Sequence, residues 1–131
     1  MRLLLDTHIA LWTALDSPRL PPRVRSLVSS TEVSLFVSVV SLWEVAIKHA
    51  LRRGCADDMP ISAAQLQRLL SGARCQVLDV VQFHVLELER LPRLHGDPFD
   101  RMLVAQARSE PLRFVTSDGH LAAYGEVVEV Y

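Results

Sequence analysis

The chain lacks long apolar runs and has few cysteines. No apolar run exceeds four residues, whereas a membrane span needs about twenty. The amino-terminal run Leu3-Leu4-Leu5 meets Asp6 at once and is too short for the apolar region of a signal peptide. Cys55 and Cys75 form no Cys-x-x-Cys motif, which predicts free thiols. We therefore expect a cytoplasmic protein without membrane contact.

Glycine is also scarce, with five residues in 131, and neither a Gly-x-Gly-x-x-Gly sequence nor a P-loop is present. These absences remove the main support for dinucleotide or nucleoside-triphosphate binding. No His-x-x-x-His or His/Cys pair supports a zinc site.

The composition predicts one folded domain spanning residues 1–131. Half of the residues are hydrophobic and 22% are charged, which excludes disorder as the default state. The net charge of −1 is not typical of nucleic-acid binders, which usually carry a basic excess. Lys48 is the only lysine among 14 basic residues, so basic charge is carried by arginine, which suits phosphate binding.

Short strand-like runs alternate with helical periodicity along the whole chain. This alternation predicts a three-layer α/β/α sandwich with a central, mainly parallel sheet of four to five strands. The expected strands are 3–5, 33–37, 76–80, 112–116 and 127–130. The expected helices are 9–15, 21–30, 40–53, one that starts at 62, 81–91 and 97–109, with a loop at 54–61 and a helical turn at 117–124.

Acidic residues recur where ligands bind in open parallel sheets, beyond the carboxyl ends of the strands. They are Asp6, Glu44, Asp100 and Asp118. Three of them have an ordinary alternative, since Asp6 can cap a helix, Glu44 can pair with Lys48, and Asp118 can serve a turn. Taken together they predict a cation site, because clustered carboxylates repel unless a cation offsets their charge.

Neighbouring residues sharpen this prediction. Glu44 lies on a helical line with the apolar Val40, Ile47 and Leu51, which is uncommon for an unpaired carboxylate. Asp100 heads a helix face formed by apolar residues, whereas Asp97 precedes a proline and is typical of a helix cap. Arg101 is expected on a solvated face.

Four sequence blocks resemble the PIN-domain family, most closely the VapC-type toxins of prokaryotic toxin–antitoxin pairs. The blocks are LLLDTH (3–8), SLWEVAIK (41–48), HGDPFDRMLVAQA (95–107) and TSD (116–118). The resemblance implies a Mg²⁺- or Mn²⁺-dependent endoribonuclease, a hydrolase of RNA phosphodiester bonds that yields a 5′-phosphate and a 3′-hydroxyl. It assigns the catalytic metal-binding role to Asp6, Glu44, Asp100 and Asp118, with Asp97, Thr116 and Thr7 as auxiliary residues. His8 is added to the auxiliary residues because it follows Asp6 by two positions.

The resemblance also implies an RNA substrate, a cognate antitoxin over the acidic edge, and a homodimer. For RNA contact the expected residues are Arg19, Arg23, Arg25, Arg52 and Arg53, with Arg90 and Arg93 as further candidates. His8 and His120 each follow a site acid by two residues, and a supporting role is favoured over general-base catalysis. Trp12 and Trp43 lie at core-like spacing and are interpreted as packing residues.

Two other classes stay open: a non-catalytic RNA-binding or interaction module, and a metal-dependent phosphatase. A phosphatase would require an Asp-x-Asp sequence after the first strand, where this chain has Asp6-Thr7-His8. The charge balance no longer argues against nucleic acid, because setting the four acids aside leaves a formal charge of +3.

Overall fold

The computed structural model describes residues 1–131 as five β-strands, six α-helices and one 3₁₀ helix. The strands are β1 (Arg2–Leu5), β2 (Ser34–Ser38), β3 (Cys75–Leu78), β4 (Arg113–Thr116) and β5 (Val128–Val130). The helices are α1 (Thr7–Ala14), α2 (Pro22–Ser29), α3 (Val39–Ala50), α4 (Ala63–Gly72), α5 (Gln82–Arg90) and α6 (Pro98–Ser109), and the 3₁₀ helix is Gly119–Tyr124. Every predicted strand and helix is present, with ends shifted by a few residues.

The strands form a single sheet in the order β3-β2-β1-β4-β5, and every pairing is parallel. This confirms the predicted parallel sheet and sets its strand number at five. The chain leaves β1 toward β2 on one side and later returns to β4 on the other, so the strand order reverses at β1. Ligands of open α/β sheets bind beyond the strand ends at such a reversal.

The three predicted layers follow from the alternation of side chains along the central strand. Leu3 and Leu5 pack into a core with residues of α1, α2 and α4, whereas Leu4 packs with α6 and the 3₁₀ helix on the opposite face. All three leucines are fully buried, and burial of each such side chain contributes roughly 1.5–3 kcal/mol. The strand is apolar on both faces because helices cover both.

Helix starts carry local signals that the sequence displays. The Ser62 hydroxyl accepts from the Gln65 N–H, and the Gln65 side chain accepts from the Ser62 N–H, which closes a capping box before α4. Helix α1 begins at Thr7, two residues earlier than predicted, because the Asp6 carboxylate accepts from the Thr7 N–H and caps it.

Two further predictions concern the cysteines and membrane contact. Both thiols are free, with Cys75 buried and Cys55 exposed, as predicted. Burial raises the pKa of Cys75 to about 12, so its thiol stays protonated. No helix combines the length and the apolar character that crossing a membrane requires.

Candidate functional site

Asp6 lies directly beyond β1, at the point where the strand order reverses. Its Oδ1 accepts from the Thr7 N–H at 2.7 Å, and its Oδ2 accepts from the Thr116 hydroxyl at 2.5 Å. Only 6% of the residue is exposed. Burial raises the pKa of Asp6 although both hydrogen bonds and the nearby His8 act to lower it. Asp6 therefore caps α1 and also presents a buried carboxylate to the sheet edge.

Glu44 is presented by α3, the helix that follows β2. Its Oε1 accepts from the Thr7 hydroxyl at 2.7 Å and its Oε2 accepts from Lys48 Nζ at 2.6 Å. The pairing with Lys48 that the sequence left open is thus present, and Glu44 is 4% exposed. The prediction of a buried apolar stripe is wrong beyond Glu44, because Ile47 and Leu51, toward the carboxyl end of α3, are exposed.

The Thr7 hydroxyl links these elements. It lies 2.9 Å from the buried Ser41 hydroxyl as well as 2.7 Å from Glu44. Since a hydroxyl has one proton, Thr7 donates to the carboxylate and Ser41 donates to Thr7. The arrangement ties α1 to α3 and fixes the direction of the Glu44 carboxylate.

Asp100 lies in the first turn of α6 and faces the other acids. Its pKa is raised to about 7, first by burial and then by the negative charges of Asp6 and Asp97, with a smaller contribution from Glu44. His95 Nε2 lies 3.0 Å from Asp100 Oδ2 and opposes this rise. The raised pKa shows that Asp100 lies in the combined field of the cluster.

Asp97 has the cap role that the sequence suggested. Its Oδ1 accepts from the Phe99 N–H at 2.8 Å and from the Asp100 N–H at 3.1 Å, with Pro98 at the first helical position. The cap thereby holds the peptide that carries Asp100. The predicted apolar face below Asp100 is also present, since Leu103, Val104 and Ala107 are fully buried.

Asp118 follows β4 and caps the 3₁₀ helix. Its Oδ1 accepts from the His120 N–H at 2.9 Å and lies 3.0 Å from the His120 ring, while its own N–H donates to the Thr116 hydroxyl. Burial acts against ionisation, but the bonds to His120 and the charges of His120 and His95 leave the pKa of Asp118 lowered. Asp118 is therefore the readily ionised member of the group.

Three of these side chains come close enough to share one ion. His95, Asp100 and Asp118 offer ligand atoms that all lie within 4.8 Å of one another. Asp6 and Glu44 lie outside this set but act on Asp100 through their charges. Sequence reasoning missed His95, whose available signal is its position just before the cap of the helix that carries Asp100.

His8 and His120 lie at the margin of the acidic site. His8 is exposed and stands beside Trp12, with ring centroids 5.9 Å apart, and it lines a cavity of about 380 Å³ together with Arg19. The His120 side chain is 88% exposed, and its ring hydrogen-bonds to Asp118. Both positions suit a supporting role.

The structure brings few of the predicted RNA-contacting arginines to the acids. Arg19 reaches the His8 cavity, whereas Arg25 pairs with Asp16, and Arg23 stacks over Tyr131 in a cavity shared with Met1, at the amino end of β1. Exposed Arg52 and Arg53 lie past the carboxyl end of α3. Arg52 contacts His49, and the Arg53 N–H donates to Asp58.

The prediction for Trp43 is wrong, whereas that for Trp12 is confirmed. Trp12 packs against the core, but Trp43 is 61% exposed. It stands edge-on to Phe99, with ring centroids 5.1 Å apart, in an almost wholly apolar groove of about 520 Å³. Helical spacing places Trp43 at the rim of this groove, where Phe99 of α6 covers only part of it.

Comparison with known proteins assigns the family. The model of the PIN domain family matches residues 3–127, nearly the whole chain, and the chain therefore belongs to that family. No curated protein matches the sequence at a significant level.

Solved structures share the fold over almost their full length. The chain is similar to VapBC2 from Rickettsia felis bound to a promoter DNA fragment, with a TM-score of 0.72, 16% identity and coverage of 99% of this chain and 98% of that one. It is also similar to FitAcB from Neisseria gonorrhoeae (0.64, 19%, 96% and 95%) and to DNA-bound VapBC from Salmonella typhimurium (0.64, 19%, 99% and 98%). At these identities the likeness establishes the fold.

Proposed function

We propose that this chain is a Mg²⁺- or Mn²⁺-dependent endoribonuclease. The observation that carries the proposal is the carboxylate group around Asp100: burial first, and then the charges of Asp6, Asp97 and Glu44, raise the pKa of Asp100 to about 7, and Asp118 lies within ligand distance of it. Such crowding of carboxylates opposes folding, and it is retained where the acids have a function. Membership in the PIN domain family supports a nuclease.

The donor set fits a hard divalent cation. Mg²⁺ and Mn²⁺ prefer carboxylate oxygens, and a bound cation would remove the repulsion that Asp100 now experiences. Asp6, Glu44, Asp100 and Asp118 would hold the ion, with His95 beside Asp100 and Asp118. Such an ion supplies an activated water and offsets the negative charge that develops on a phosphodiester during hydrolysis.

The residues around the acids hold the carboxylates in position. Thr116 and the Thr7 N–H fix both oxygens of Asp6, and the Thr7 hydroxyl fixes Glu44. Asp97 holds the first turn of α6, which carries Asp100. Hydrolysis at this centre would leave a 5′-phosphate and a 3′-hydroxyl.

We also propose that residues 1–131 act as a single PIN domain and as the toxin of a toxin–antitoxin pair in the cytoplasm. The similar structures from Rickettsia felis and Salmonella typhimurium are described as VapBC, and one from Klebsiella pneumoniae as a toxin–antitoxin complex. The cognate antitoxin would cover the acidic edge, and the isolated chain would form a homodimer.

Incubation of the purified chain with structured RNA, in Mg²⁺ and in EDTA, tests the nuclease. We expect cleavage in Mg²⁺, none in EDTA, and none by Asp6→Ala, whose cooperative thermal unfolding should be retained. RNA binding without cleavage would favour the non-catalytic module. Hydrolysis of a phosphomonoester with RNA left intact would favour the phosphatase. Mg²⁺-dependent cleavage by Asp6→Ala would contradict the assigned site.

A further inference from the structure

A small basic cavity adjoins the acidic site. It has a volume of about 340 Å³ and is lined by Arg93, Leu94, His95, Gly96 and Arg101, with no acidic residue among them. Most of the lining comes from the segment between α5 and α6, and Arg101 is contributed by α6 itself. The cavity thus gathers positive charge beside a cluster of carboxylates.

Neither arginine in this cavity has a carboxylate partner. The four arginine and lysine ion pairs of the chain involve Arg25, Lys48, Arg108 and Arg113. Arg93 is exposed, and Arg101 is only half-buried rather than solvated as the sequence suggested. Two unpaired guanidinium groups beside one cavity favour an anionic ligand, because an anion would offset the charge of both.

Arg101 has a donor that the chain leaves unused. One terminal nitrogen donates to the Leu91 carbonyl at 3.3 Å, while the buried Nε has no hydrogen-bond partner. The carbonyl bond holds the guanidinium at the cavity. The Nε is closed to a ligand by its burial, but the other terminal nitrogen is not buried and makes no hydrogen bond within the chain, so it is free to donate to a ligand.

The backbone of the cavity is open to a ligand as well. The N–H groups of His95 and Gly96 take part in no hydrogen bond within the chain. A side chain at Gly96 would meet no heavy atom within 4 Å, so the main chain faces open space there. Unpaired peptide N–H groups next to arginines are typical donors to phosphate oxygens.

His95 connects this cavity to the proposed metal centre. It lines the cavity and lies 3.0 Å from Asp100 Oδ2, so no residue separates the basic lining from the acids. An RNA strand with one phosphodiester at the acids carries its next phosphate one nucleotide away. The cavity is placed to receive that neighbouring phosphate.

We infer that Arg93, Arg101 and the His95–Gly96 backbone form a phosphate subsite that holds the RNA strand beside the scissile bond. The inference rests on the proposed nuclease function. The contacts are to phosphate, so the subsite contributes affinity and register without reading sequence. Arg93 is one of the further candidates that the sequence offered for RNA contact, whereas Arg101 is not. Most of the five main candidates lie elsewhere on the surface.

Fluorescence anisotropy of a labelled single-stranded oligoribonucleotide in EDTA tests the subsite without cleavage. We expect Arg93→Ala to weaken binding about 5- to 10-fold. It should lower the slope of log K against log [salt] by about 0.7, which is the loss of one phosphate contact to a single strand. Arg101→Lys keeps the charge but loses the planar guanidinium that can donate to two phosphate oxygens at once, and we expect a similar weakening of RNA binding. Arg68→Ala, an exposed arginine on α4 with no ion pair, is the matched control and should bind like the wild type.

Binding of Arg93→Ala and Arg101→Lys that matches Arg68→Ala in affinity and salt slope would overturn the subsite, even if the wild type cleaves RNA. A second arm uses inorganic phosphate, which should raise the melting temperature of the wild type and of Arg68→Ala more than that of Arg93→Ala. If the wild type does not bind or cleave RNA but this phosphate effect depends on Arg93, the proposed function fails while the anion site stands. Absence of the phosphate effect together with unchanged RNA binding would exclude the anion site.

Discussion

The hydroxyl of Thr116 donates a hydrogen bond of 2.5 Å to Asp6 Oδ2, joining the carboxyl ends of two neighbouring strands. Both residues are buried and lie 110 positions apart in sequence. The same hydroxyl accepts from the Asp118 N–H at 3.0 Å. One threonine therefore orients the acid after β1 and the turn that carries the acid after β4.

Replacement of Thr116 should weaken both metal binding and the stability of the fold. Thr116→Val keeps the shape but leaves Asp6 Oδ2 without its donor, which should cost about 1–3 kcal/mol of unfolding free energy. It should also raise the pKa of Asp6 further and weaken Mn²⁺ binding about 10-fold or more. Calorimetric Mn²⁺ titration and urea unfolding measure the two effects. Thr116→Ser should restore both, and equal Mn²⁺ affinity of the Val and Ser variants would show that the bond is irrelevant to the site.

The raised pKa of Asp100 predicts how stability without metal depends on pH. Between about pH 4 and pH 7 the folded chain binds more protons at Asp100 than the unfolded chain does. The contribution of Asp100 to the unfolding free energy therefore falls as pH rises through this window. Mg²⁺ competes with that proton, so it should stabilise the chain more at about pH 8 than at about pH 5.5. A site filled at 100 times its Kd would gain about 2.7 kcal/mol.

Thermal unfolding of paired variants checks this assignment. Asp100→Asn should raise the melting temperature of the metal-free chain at about pH 8, because it removes the repelled charge. It should also abolish most of the Mg²⁺ effect. Asp118→Asn is the control of opposite sign, since the pKa of Asp118 is lowered and its charge is favourable in the folded state. Stabilisation by both substitutions would refute the distinction between the two acids.

A buried histidine away from the acids contributes to stability. His84 is fully buried, its Nδ1 accepts from the Val81 N–H at 3.2 Å at the start of α5, and its Nε2 lies 2.7 Å from Glu110 Oε2. Nε2 therefore carries the proton and donates to the carboxylate. His84→Ala should cost about 2–4 kcal/mol in urea unfolding through the lost volume and bonds. Glu110→Gln keeps an acceptor and should cost less. A loss no larger for His84→Ala than for Glu110→Gln would contradict this role.

Exposed apolar side chains on α5 predict the surface of the proposed homodimer. Phe83, Val85 and Leu86 are 61%, 48% and 50% exposed on this helix. Such a cluster is typical of an interface. Sedimentation should show a dimer for the wild type and a monomer for Phe83→Glu. Leu69→Glu, the same kind of change on α4, should leave the mass unchanged. A monomeric wild type would overturn the homodimer.

The fold could be predicted from local sequence patterns because most of the signals within each element agree. The all-apolar Leu3–Leu5 run, the prolines at the starts of α2 and α6, and the Ser62 cap each act within a few residues. Such signals are readable from the chain alone. The four acids could be predicted because each follows, or begins a helix near, the carboxyl end of a parallel strand.

Other features depend on which elements meet in space, and sequence reasoning missed them. His95 has no ligand-like spacing, and its contact with Asp100 depends on the path of the segment before α6. The exposure of Trp43 depends on how much of its side chain Phe99 of α6 covers. The pairing of Arg25 with Asp16, and the lack of a partner at Arg101, are likewise tertiary facts.

RNA cleavage by Asp100→Asn and Asp97→Asn, measured side by side in saturating Mg²⁺, tests the central claim most directly. The two acids lie three residues apart and the chemical change is the same, but Asn can still cap α6 at position 97. We predict that Asp100→Asn loses more than the about 100-fold typical of groups that merely support a metal ligand. Asp97→Asn should stay within about threefold of the wild type, because its cap is retained. Equal losses in both variants, or full activity of Asp100→Asn, would contradict the assignment of a catalytic metal centre at Asp100.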